Sequence, residues 1–463
     1  MVACSANPWH SRTRYAHNLR WMRIFEFSIV AVVLAISSAQ AQTPWTSGDA
    51  RAEYDAAFQA SQRTPADTAT VLRYAEAAIK VNDLEGAISA LERLLLISGD
   101  QPRVKLELGT LYYRLGSYEA ARAYFESARS SGRATTEIKQ RADEYLVAID
   151  SKTGKSQFSG DLMAGLRYST NANSGPTGSI RSAGIPVVPN PTFSERPDFS
   201  AFTAMNVRHR YDLGRQDSGT LESNFALYAT RQFQVTVANV AVVDVSTGPR
   251  MKPFEGWAED VALKPFLTGR YVAVDDMTSY WAYGTGVEAT APLGSKIGTT
   301  LALFGRQRQF VNNSDVPTNN QNTGVEAASI FDLRAELTST LWLSFNANAM
   351  RYSAVTAWES YGEFGIGAAM TKRFVDPLGI NGRPWQATAN IYTLIANYDQ
   401  PNPVVDPTVA RSQTDLGLGM LLTVPLDERF SLTAQVSYVQ RWASLSNYAY
   451  NALTTLVGVG WRF

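Results

Sequence analysis

Cysteine and histidine are nearly absent from this 463-residue chain, which contains one cysteine and three histidines. Cys4, His10 and His17 lie in the first 41 residues, which leaves His209 as the one residue of either type beyond them. Residues 42–463 therefore have no disulfide, no thiolate nucleophile and no cysteine metal site. Catalysis by a serine–histidine pair would depend on His209, for which the sequence identifies no partner. We expect no enzyme activity, no cofactor and no metal.

Long apolar runs are also scarce, because the chain has only one, at residues 24–39. Four arginines precede the run and Ala39-Gln40-Ala41 follows it. A basic segment, an apolar core and a small-residue site are typical of a secretory signal peptide, so we predict that residues 1–41 are cleaved after Ala41. The run is short for the alternative, an N-terminal membrane anchor. Translation could start at Met1 or at Met22.

An excess of positive charge is missing as well. The 42 basic residues equal the 42 acidic ones, and removal of residues 1–41 takes away four arginines and one glutamate, leaving 38 against 41. A chain with a formal charge of −3 lacks the electrostatic footprint of a nucleic-acid binder, so we expect no nucleic acid partner.

The first part of the remaining chain, residues 49–150, is alanine-rich and repeats a helical pattern every 34 residues. The segment 84–87 (Leu-Glu-Gly-Ala) recurs at 118–121 (Tyr-Glu-Ala-Ala), and Leu91-Glu92 recurs as Phe125-Glu126. Small residues at 87 and 121 would let two helices pack closely, and large ones at 91 and 125 would fill the gap to the next pair.

This pattern resembles the tetratricopeptide repeat. Lys105 and Arg133 depart from it, since tryptophan and proline are usual there. The resemblance implies an α-solenoid of two full repeats, with single helices at 49–62 and 135–149; a plain helical bundle is the alternative. Six signature positions of the second copy match: Leu108, Gly109, Tyr112, Ala121, Phe125 and Ala128.

The concave side of a tetratricopeptide repeat is lined by the first helix of each pair. The resemblance therefore implies a binding surface for a peptide carboxylate or an acidic segment, with ordinary solvated helix residues as the competing interpretation. Lys80 and Arg114 are 34 residues apart and would project in parallel. The predicted surface consists of Glu76, Lys80, Arg103, Leu106, Thr110, Tyr113 and Arg114.

After Lys155 the period changes from 3.6 to 2 and remains so to residue 463. Several of the resulting strands exceed ten residues, which is enough to cross a bilayer at a tilt. Short connections alternate with longer ones rich in Asn, Pro, Ser and Gly, as in outer-membrane barrels. We predict an antiparallel transmembrane β-barrel over residues 156–463. Its strands lie near 157–168, 199–211, 220–231, 280–290, 297–309, 324–336, 341–353, 360–374, 385–398, 413–424, 430–442 and 450–463.

The strand number must be even if the first strand leaves the periplasm and the last returns to it. We expect residues 232–256 to form a long surface loop. Segments 261–265 and 269–274 then supply two short crossings, which gives about 14 strands. Pairing of residues 235–245 as well would give sixteen.

Aromatic residues cluster at the ends of these strands, as interfacial girdles do. A soluble sandwich or solenoid, the alternative fold, would place them in mid-strand. His209 shares a face with Val207 and Tyr211, so we expect it at the same interface. The predicted girdle residues are Tyr168, Tyr211, Trp281, Tyr352, Phe374, Trp385, Tyr398, Trp442 and Trp461.

Charged residues of both signs share the opposite, inward face of the strands, which predicts a wet lumen without strong ion selectivity. Arg306 and Arg308 either line a constriction or, as we favour, pair with neighbouring acids such as Glu326. Inward aromatics are expected to be few: Tyr228, Phe304 and Tyr392. The predicted lumen residues are Arg167, Arg208, Arg210, Glu288, Arg306, Arg308, Glu326, Arg334, Glu363, Asp415 and Arg441.

The last seven residues, 457–463, alternate apolar and small or polar side chains and finish on Phe463. This resembles the closing strand of bacterial outer-membrane barrels, with Gly458, Trp461 and Phe463 at the positions of the signal that the barrel assembly machinery reads. Leu456 departs from that pattern, because a polar residue is usual there.

Repeats followed by an outer-membrane barrel resemble two groups of proteins. The surface lipoprotein assembly modifiers carry a repeat domain before a fourteen-stranded barrel, and their Tyr-Asp-Ser-Asn-type segment is similar to residues 168–173 here. Exopolysaccharide exporters usually have more repeats and sixteen strands. The first resemblance, the closer one, implies a translocon in the outer-membrane bilayer that captures a periplasmic client protein and delivers it to the surface. Export of a polysaccharide and a passive porin or scaffold are the alternatives.

Overall fold

The computed structural model describes residues 48–463, except Asn82, 192–193, 215–218 and Asp315. The predicted signal peptide, residues 1–41, lies outside the described residues. The described chain forms two compact units, a helical one that ends at Gln157 and a strand-based one from Phe158 to Phe463. Within the described residues, no helix is both long and apolar enough to cross a membrane.

The helical unit has the predicted order, two helical pairs with one further helix at each end. Asp67 caps the second helix by accepting a hydrogen bond from Thr70 N (3.1 Å), and Pro102 occupies the first turn of the fourth, where its missing N–H costs nothing. The last helix runs three residues past the predicted boundary at 150. The helices are α1 Gly48–Arg63, α2 Thr68–Lys80, α3 Leu84–Ser98, α4 Pro102–Arg114, α5 Tyr118–Ser130 and α6 Thr136–Thr153.

Close packing of α4 on α5 depends on the small residues that the repeat predicts. A Cβ on Gly109 would lie 2.6 Å from Phe125 Cε1, so no larger residue fits without displacing the ring. Ala121 and Phe125 are fully buried, as are their counterparts Ala87 and Leu91 in the preceding pair. The size pattern at 87/121 and 91/125 is therefore confirmed.

The second unit is a closed barrel of fourteen strands, in which each strand pairs with its neighbours along the chain and the first and last strands pair antiparallel to close it. A small hairpin, β2 Ile180–Ser182 with β3 Ile185–Val187, lies apart from the barrel sheet. The barrel strands are β1 Ser156–Ser169, β4 Asp198–Asp212, β5 Thr220–Gln232, β6 Val240–Arg250, β7 Ala262–Val274, β8 Met277–Pro292, β9 Ile297–Phe310, β10 Gly324–Thr338, β11 Leu341–Ala354, β12 Tyr361–Phe374, β13 Trp385–Pro401, β14 Ala410–Pro425, β15 Phe430–Ala443 and β16 Tyr450–Arg462.

The outer face of the barrel is apolar and exposed. On β16 the odd residues Val457, Val459 and Trp461 point outward, whereas Leu456 points inward and packs with Met163 and Phe202. Exposed Leu, Val, Ile and Phe side chains recur in the same alternation on the other strands. A continuous apolar exterior is what lipid contact requires, so the barrel is of the membrane-spanning kind.

The predicted strand number, fourteen, is confirmed, but the position of the additional strand is wrong. Residues 240–250 form β6 inside the segment expected to be a loop, and residues 262–274 form one strand instead of two crossings. Pro249 and Pro265 obscure both strands in the sequence. Gly248 allows these two strands to approach each other closely, because a Cβ at residue 248 would lie 2.0 Å from Pro265 O.

The two ends of the barrel differ in their connections. The end at which β1 begins and β16 finishes is called the near end, and the opposite one the far end. Far-end connections range from the 28-residue segment 170–197 to the two-residue turn Asp275-Asp276, in which both residues have positive φ (52° and 61°). Such a turn suits the twist of a hairpin. The far-end connections are 170–197, 233–239, 275–276, 311–323, 355–360, 402–409 and 444–449.

Candidate functional site: the barrel interior and the repeat surface

The inner wall toward the near end carries ion pairs on β5 to β8. Arg250 Nε donates to Glu222 Oε2 (2.9 Å), and the same guanidinium pairs with Glu288. Lys264 Nζ lies 3.7 Å from Glu222 Oε2. Charges of opposite sign thus neutralise one another along the wall, as the mixed signs in the sequence predict.

A second set of ion pairs follows on β6, β7, β9 and β10. Asp244 accepts from Arg270 Nε (2.7 Å) and lies 3.7 Å from Arg306 Nη1. Glu326 accepts from Arg306 Nε (3.1 Å) and also binds Arg308. Arg306 and Arg308 therefore pair with Glu326, which is the interpretation that the sequence favoured over a free constriction.

Aromatic rings cover these arginines toward the far end. The guanidinium of Arg308 lies 4.8 Å from the ring centroid of Tyr352 and 5.5 Å from that of Tyr280. Arg411 is held in the same way, 3.6 Å from Tyr448 and 4.6 Å from Tyr398. Contacts of this kind stabilise a desolvated cation.

A fourth buried arginine, after Arg306, Arg308 and Arg411, lies among β14 to β16. Arg441 binds the carboxylate of Asp415 directly across the strand pair and lies 5.3 Å from the ring of Tyr450. A paired carboxylate and a ring face again offset the cost of removing the guanidinium from water.

These side chains are inaccessible to water although they lie on the inner face of a barrel. The exposed fraction is 0% for Tyr352, 2% for Arg308 and 1% for both Glu326 and Arg441. Other side chains must therefore cover them, and the inner wall at this level is dry. We call this set the closed layer: Tyr280, Arg308, Phe310, Glu326, Met350, Tyr352, Tyr361, Tyr398, Arg411, Asp415, Arg441 and Tyr450.

Two sequence predictions about aromatics are wrong. Tyr352 and Tyr398 face inward and are buried, so they are not part of an outer girdle. Inward aromatics are also more numerous than Tyr228, Phe304 and Tyr392. The alternation of side chains along the strand already indicated that Tyr352 faces inward, because it has an even number, like Asn346 and Asn348 on the inner face. Of the predicted girdle, Tyr211, Trp281, Trp442 and Trp461 are exposed on the outer face.

The remaining predicted lumen residues lie on the inward face outside the closed layer. Arg208 and Arg210 on β4 and Arg334 on β10 are exposed to water near the near end. Arg167 on β1 and Glu363 on β12 are partly buried on the same face. The inward face is therefore exposed to water toward the near end and buried in the closed layer toward the far end.

His209 lies on the outer face near the near end. Its ring stacks on Phe158, with the centroids 4.4 Å apart. Among the described residues, no group of three or more His, Cys, Asp or Glu side chains has the arrangement needed to hold a metal ion.

The predicted repeat surface is only partly accessible. Glu76, Lys80, Arg103 and Arg114 are exposed, and Lys80 Nζ binds Glu53 Oε2 of α1 (2.9 Å). Tyr113 is partly buried and contacts the rings of Tyr118 and Tyr145 edge-on.

Leu106 and Thr110 do not belong to an accessible surface, which corrects the prediction for both. Leu106 is 2% exposed and packs in the cluster with Ala142, Leu146 and Ile149 of α6. Thr110 is 7% exposed, and its hydroxyl donates to Leu106 O (3.0 Å). The final helix, α6, therefore covers Leu106 on the side that was predicted to be accessible.

A tyrosine pair connects the helices of the repeat unit. The rings of Tyr112 and Tyr124 are stacked, and both hydroxyl groups donate to Glu92 Oε1, at 2.7 and 3.1 Å. Burial and the hydrogen bond to Glu92 raise the pKa of Tyr124 to about 12. These residues therefore connect α3, α4 and α5 as neutral phenols.

The end of β16 closes the barrel against β1. Phe463 O accepts from Gly160 N (2.9 Å), and the rings of Trp461 and Phe463 lie 4.8 Å apart on the outer face. Gly458 points inward, where a Cβ would lie 2.9 Å from Ala164 O. The predicted assembly-signal residues thus form two outward aromatics and one inward glycine at the seam.

A repeat unit joined to a closed fourteen-stranded barrel with an apolar exterior defines a class, the membrane β-barrel proteins that carry tetratricopeptide repeats. Within the helical unit, residues 78–140 match the family model described as tetratricopeptide repeat. A comparison with curated proteins finds no match.

Solved structures resemble each half of the chain separately. PcrH of Pseudomonas aeruginosa in complex with the chaperone binding region of PopD is 17% identical over 27% of this chain and 90% of that one (TM-score 0.21). The anion-selective porin from Comamonas acidovorans is 9% identical over 66% of this chain and 99% of that one (TM-score 0.33). OmpT of Vibrio cholerae is 7% identical over 66% and 99% (TM-score 0.36).

Proposed function

We propose that this protein is an outer-membrane translocon. In this proposal the repeats face the periplasm and capture a client protein, and the barrel delivers the client to the cell surface. The observation that carries the proposal is the closed layer, since a passive porin needs an open, water-filled path. A barrel whose inward side chains are buried toward the far end has to rearrange there to pass a protein, and a repeat unit can supply that protein.

The exposed cations of the repeat surface support a protein client. Arg103 and Arg114 are accessible, and each can donate paired hydrogen bonds to a carboxylate. We propose that an acidic segment or chain terminus docks at these two residues. The partly buried ring of Tyr113 beside Arg114 would add apolar contact.

We further propose that the protein reaches the membrane through the barrel assembly machinery, with Gly458, Trp461 and Phe463 as the recognised residues. The outward rings of Trp461 and Phe463 support this, because an incoming strand end must present them before the seam with β1 closes. No enzymatic step is part of the proposal.

Export of a polysaccharide is the second candidate, and the inward aromatics favour it. Sugars stack on exposed ring faces, however, and the rings of Tyr280 and Tyr352 are occupied by Arg308. The Phe304 ring is likewise covered, since the guanidinium of Arg306 lies 4.8 Å from its centroid. Partly exposed inward rings remain at Tyr228 and Tyr392, and a sugar polymer would contact these two rings after the closed layer opens.

The deciding experiment compares cells with and without the gene. Surface proteins released by protease shaving and extracellular sugar are quantified from the same culture. We expect one or a few proteins to disappear from the surface and to accumulate in the periplasm. Loss of polymer alone would replace the proposal by polysaccharide export, and no change in either would support a porin or scaffold.

A further inference from the structure

The β2–β3 hairpin lies within the longest far-end connection and is not part of the barrel wall. Its two-residue turn, Ala183-Gly184, has positive φ at both positions (48° and 81°). Such a turn matches the twist of a short hairpin, and Gly184 adopts it without strain. Ile180 pairs with Val187 and Ser182 with Ile185, so the hairpin is a small ordered element.

The hairpin is attached to the β13–β14 connection by its backbone. Ala183 N donates to Val404 O (2.8 Å) and Gly184 N donates to Val405 O (2.9 Å). Two consecutive N–H groups of the turn thus bind two consecutive carbonyls of this connection.

An ion pair reinforces this attachment. Arg181 Nη1 lies 2.5 Å from Asp406 Oδ2, and the Asp406 carboxylate is buried. Asp406 also accepts from the hydroxyl and the backbone N–H of Thr408 (2.6 and 2.9 Å). The contacts with Thr408, and after them the one with Arg181, lower the pKa of Asp406 to about 2. The carboxylate is therefore charged at neutral pH.

The hairpin also binds the β15–β16 connection. Arg181 N donates to Asn447 Oδ1 (2.7 Å), and Asn447 Nδ2 donates back to Arg181 O (2.9 Å). The next residue, Tyr448, lies over Arg411 in the closed layer. A path of direct contacts thus leads from the hairpin to the closed layer through Asn447 and Tyr448.

We infer that the β2–β3 hairpin is a latch that keeps the far end shut. It joins the β13–β14 and β15–β16 connections, and through Tyr448 it holds Arg411 in the closed layer. Release of the hairpin from Asp406, from Asn447 and from the carbonyls of Val404 and Val405 frees both connections and lets the layer open. The inference rests on the proposed function, because only a gated conduit needs a releasable closure.

Conductance of the purified mature protein in planar lipid bilayers tests the latch without knowledge of the client. Wild-type protein is expected to be closed most of the time. Arg181→Ala and Asp406→Asn each remove a charge-assisted contact and should raise the open probability by about tenfold or more. Arg351→Ala is the matched control, since Arg351 binds Asp399 (2.8 Å) at the far end but on the outer face.

A reversible lock makes the result independent of folding defects. The mature chain has no cysteine, so Ala183→Cys with Val404→Cys in the Arg181→Ala background can form only one disulfide. Oxidation should return the conductance to the wild-type level, and reduction should raise it again.

Three outcomes would overturn the latch: an open wild-type channel, unchanged conductance in Arg181→Ala, or an equal increase in Arg351→Ala. The proposed function fails by a different result, since unchanged surface proteins in the deletion strain would reject it even if the latch behaves as expected. Failure of the two ideas can therefore be told apart.

Discussion

Arg308 and Glu326 form an ion pair that is almost fully removed from water on the inner face of a barrel. The pair is shared with Arg306, whose Nε lies 3.1 Å from Glu326 Oε1, and it is covered by Tyr352. One carboxylate thus pairs with two buried guanidinium groups, and Asp244 lies 3.7 Å from Arg306 Nη1 as a second acid. Glu326 is the acid that Arg306 and Arg308 share.

Replacing Glu326 by Gln should destabilise the barrel by about 3–5 kcal/mol, because the buried guanidinium groups of Arg306 and Arg308 both lose the carboxylate that they share. The measurement is the urea midpoint for loss of the folded form, followed by the shift of gel mobility on heating. Asp399→Asn, which breaks the exposed pair with Arg351, is the control and should cost about 1 kcal/mol or less. Equal urea midpoints for the two variants would show that Glu326 does not stabilise the barrel more than an exposed ion pair does.

Gly109→Ala should destabilise the repeat unit by about 1–3 kcal/mol, because the new methyl group overlaps the Phe125 ring. Thermal unfolding followed by circular dichroism at helical wavelengths measures this in the full chain. Gly132→Ala serves as the control, since no atom lies within 4 Å of its added Cβ. A shift as large in the control as in Gly109→Ala would argue against close packing of α4 on α5.

Far-end closure should be insensitive to pH from 8 to about 5 and should weaken as the pH falls toward 2. The folded pKa of Asp406, about 2, is below its ordinary value, so its contribution is complete above the unfolded pKa of about 3.9 and is lost as pH falls through the folded pKa. Bilayer conductance between pH 7 and 2 measures the change. Asp406→Asn should remove the part of this dependence that comes from residue 406, and an identical profile in the variant would contradict the assignment.

Arg103→Glu with Arg114→Glu should reduce client capture several-fold without unfolding the repeats, because both side chains are exposed. Surface shaving of complemented deletion cells measures delivery, and circular dichroism checks the fold. Leu106→Ser, in contrast, should lower the stability of the repeat unit, because it buries a hydroxyl group in the core between α4 and α6. Normal delivery in the double charge reversal would remove these arginines from the proposed docking site.

Trp461→Ser with Phe463→Ser should lower the amount of heat-modifiable barrel in the outer membrane while leaving synthesis unchanged. The two rings are outward and at the closing seam, where an assembly factor can reach them. Val459→Ala, a smaller change on the same face of β16, is the control. Equal membrane levels for the double variant and the control would reject the role of the terminal aromatics.

The sequence predicted the helical repeats because the 34-residue spacing repeats small and large residues at the positions where the helices pack. It also predicted the strand number. The count has to be even if the first strand begins and the last strand ends on the same side of the membrane. It failed locally at β6 and β7, where Pro249 and Pro265 interrupt the alternation that defines a strand. Tertiary pairing of Val240 with Val274 overrides that local signal.

The interior was predicted at the level of faces but not of packing. Parity correctly put Arg306, Arg308 and Glu326 on one face, and the same rule applied to Tyr280 and Tyr352 would have placed them there too. The burial of the closed-layer side chains could not be predicted from the sequence. It depends on contacts at the far end between strands that are distant along the chain. The coverage of Leu106 by α6 was missed for the same reason.

The separation along the chain between the hairpin and its partners has a consequence for biogenesis. Arg181 lies 225 residues before Asp406 and 266 before Asn447. Contacts of such high sequence separation form late, after the intervening chain has been ordered. If the hairpin is the latch, a barrel that is still assembling cannot close its far end until its final strands are in place. Closure of the far end then indicates that assembly is complete.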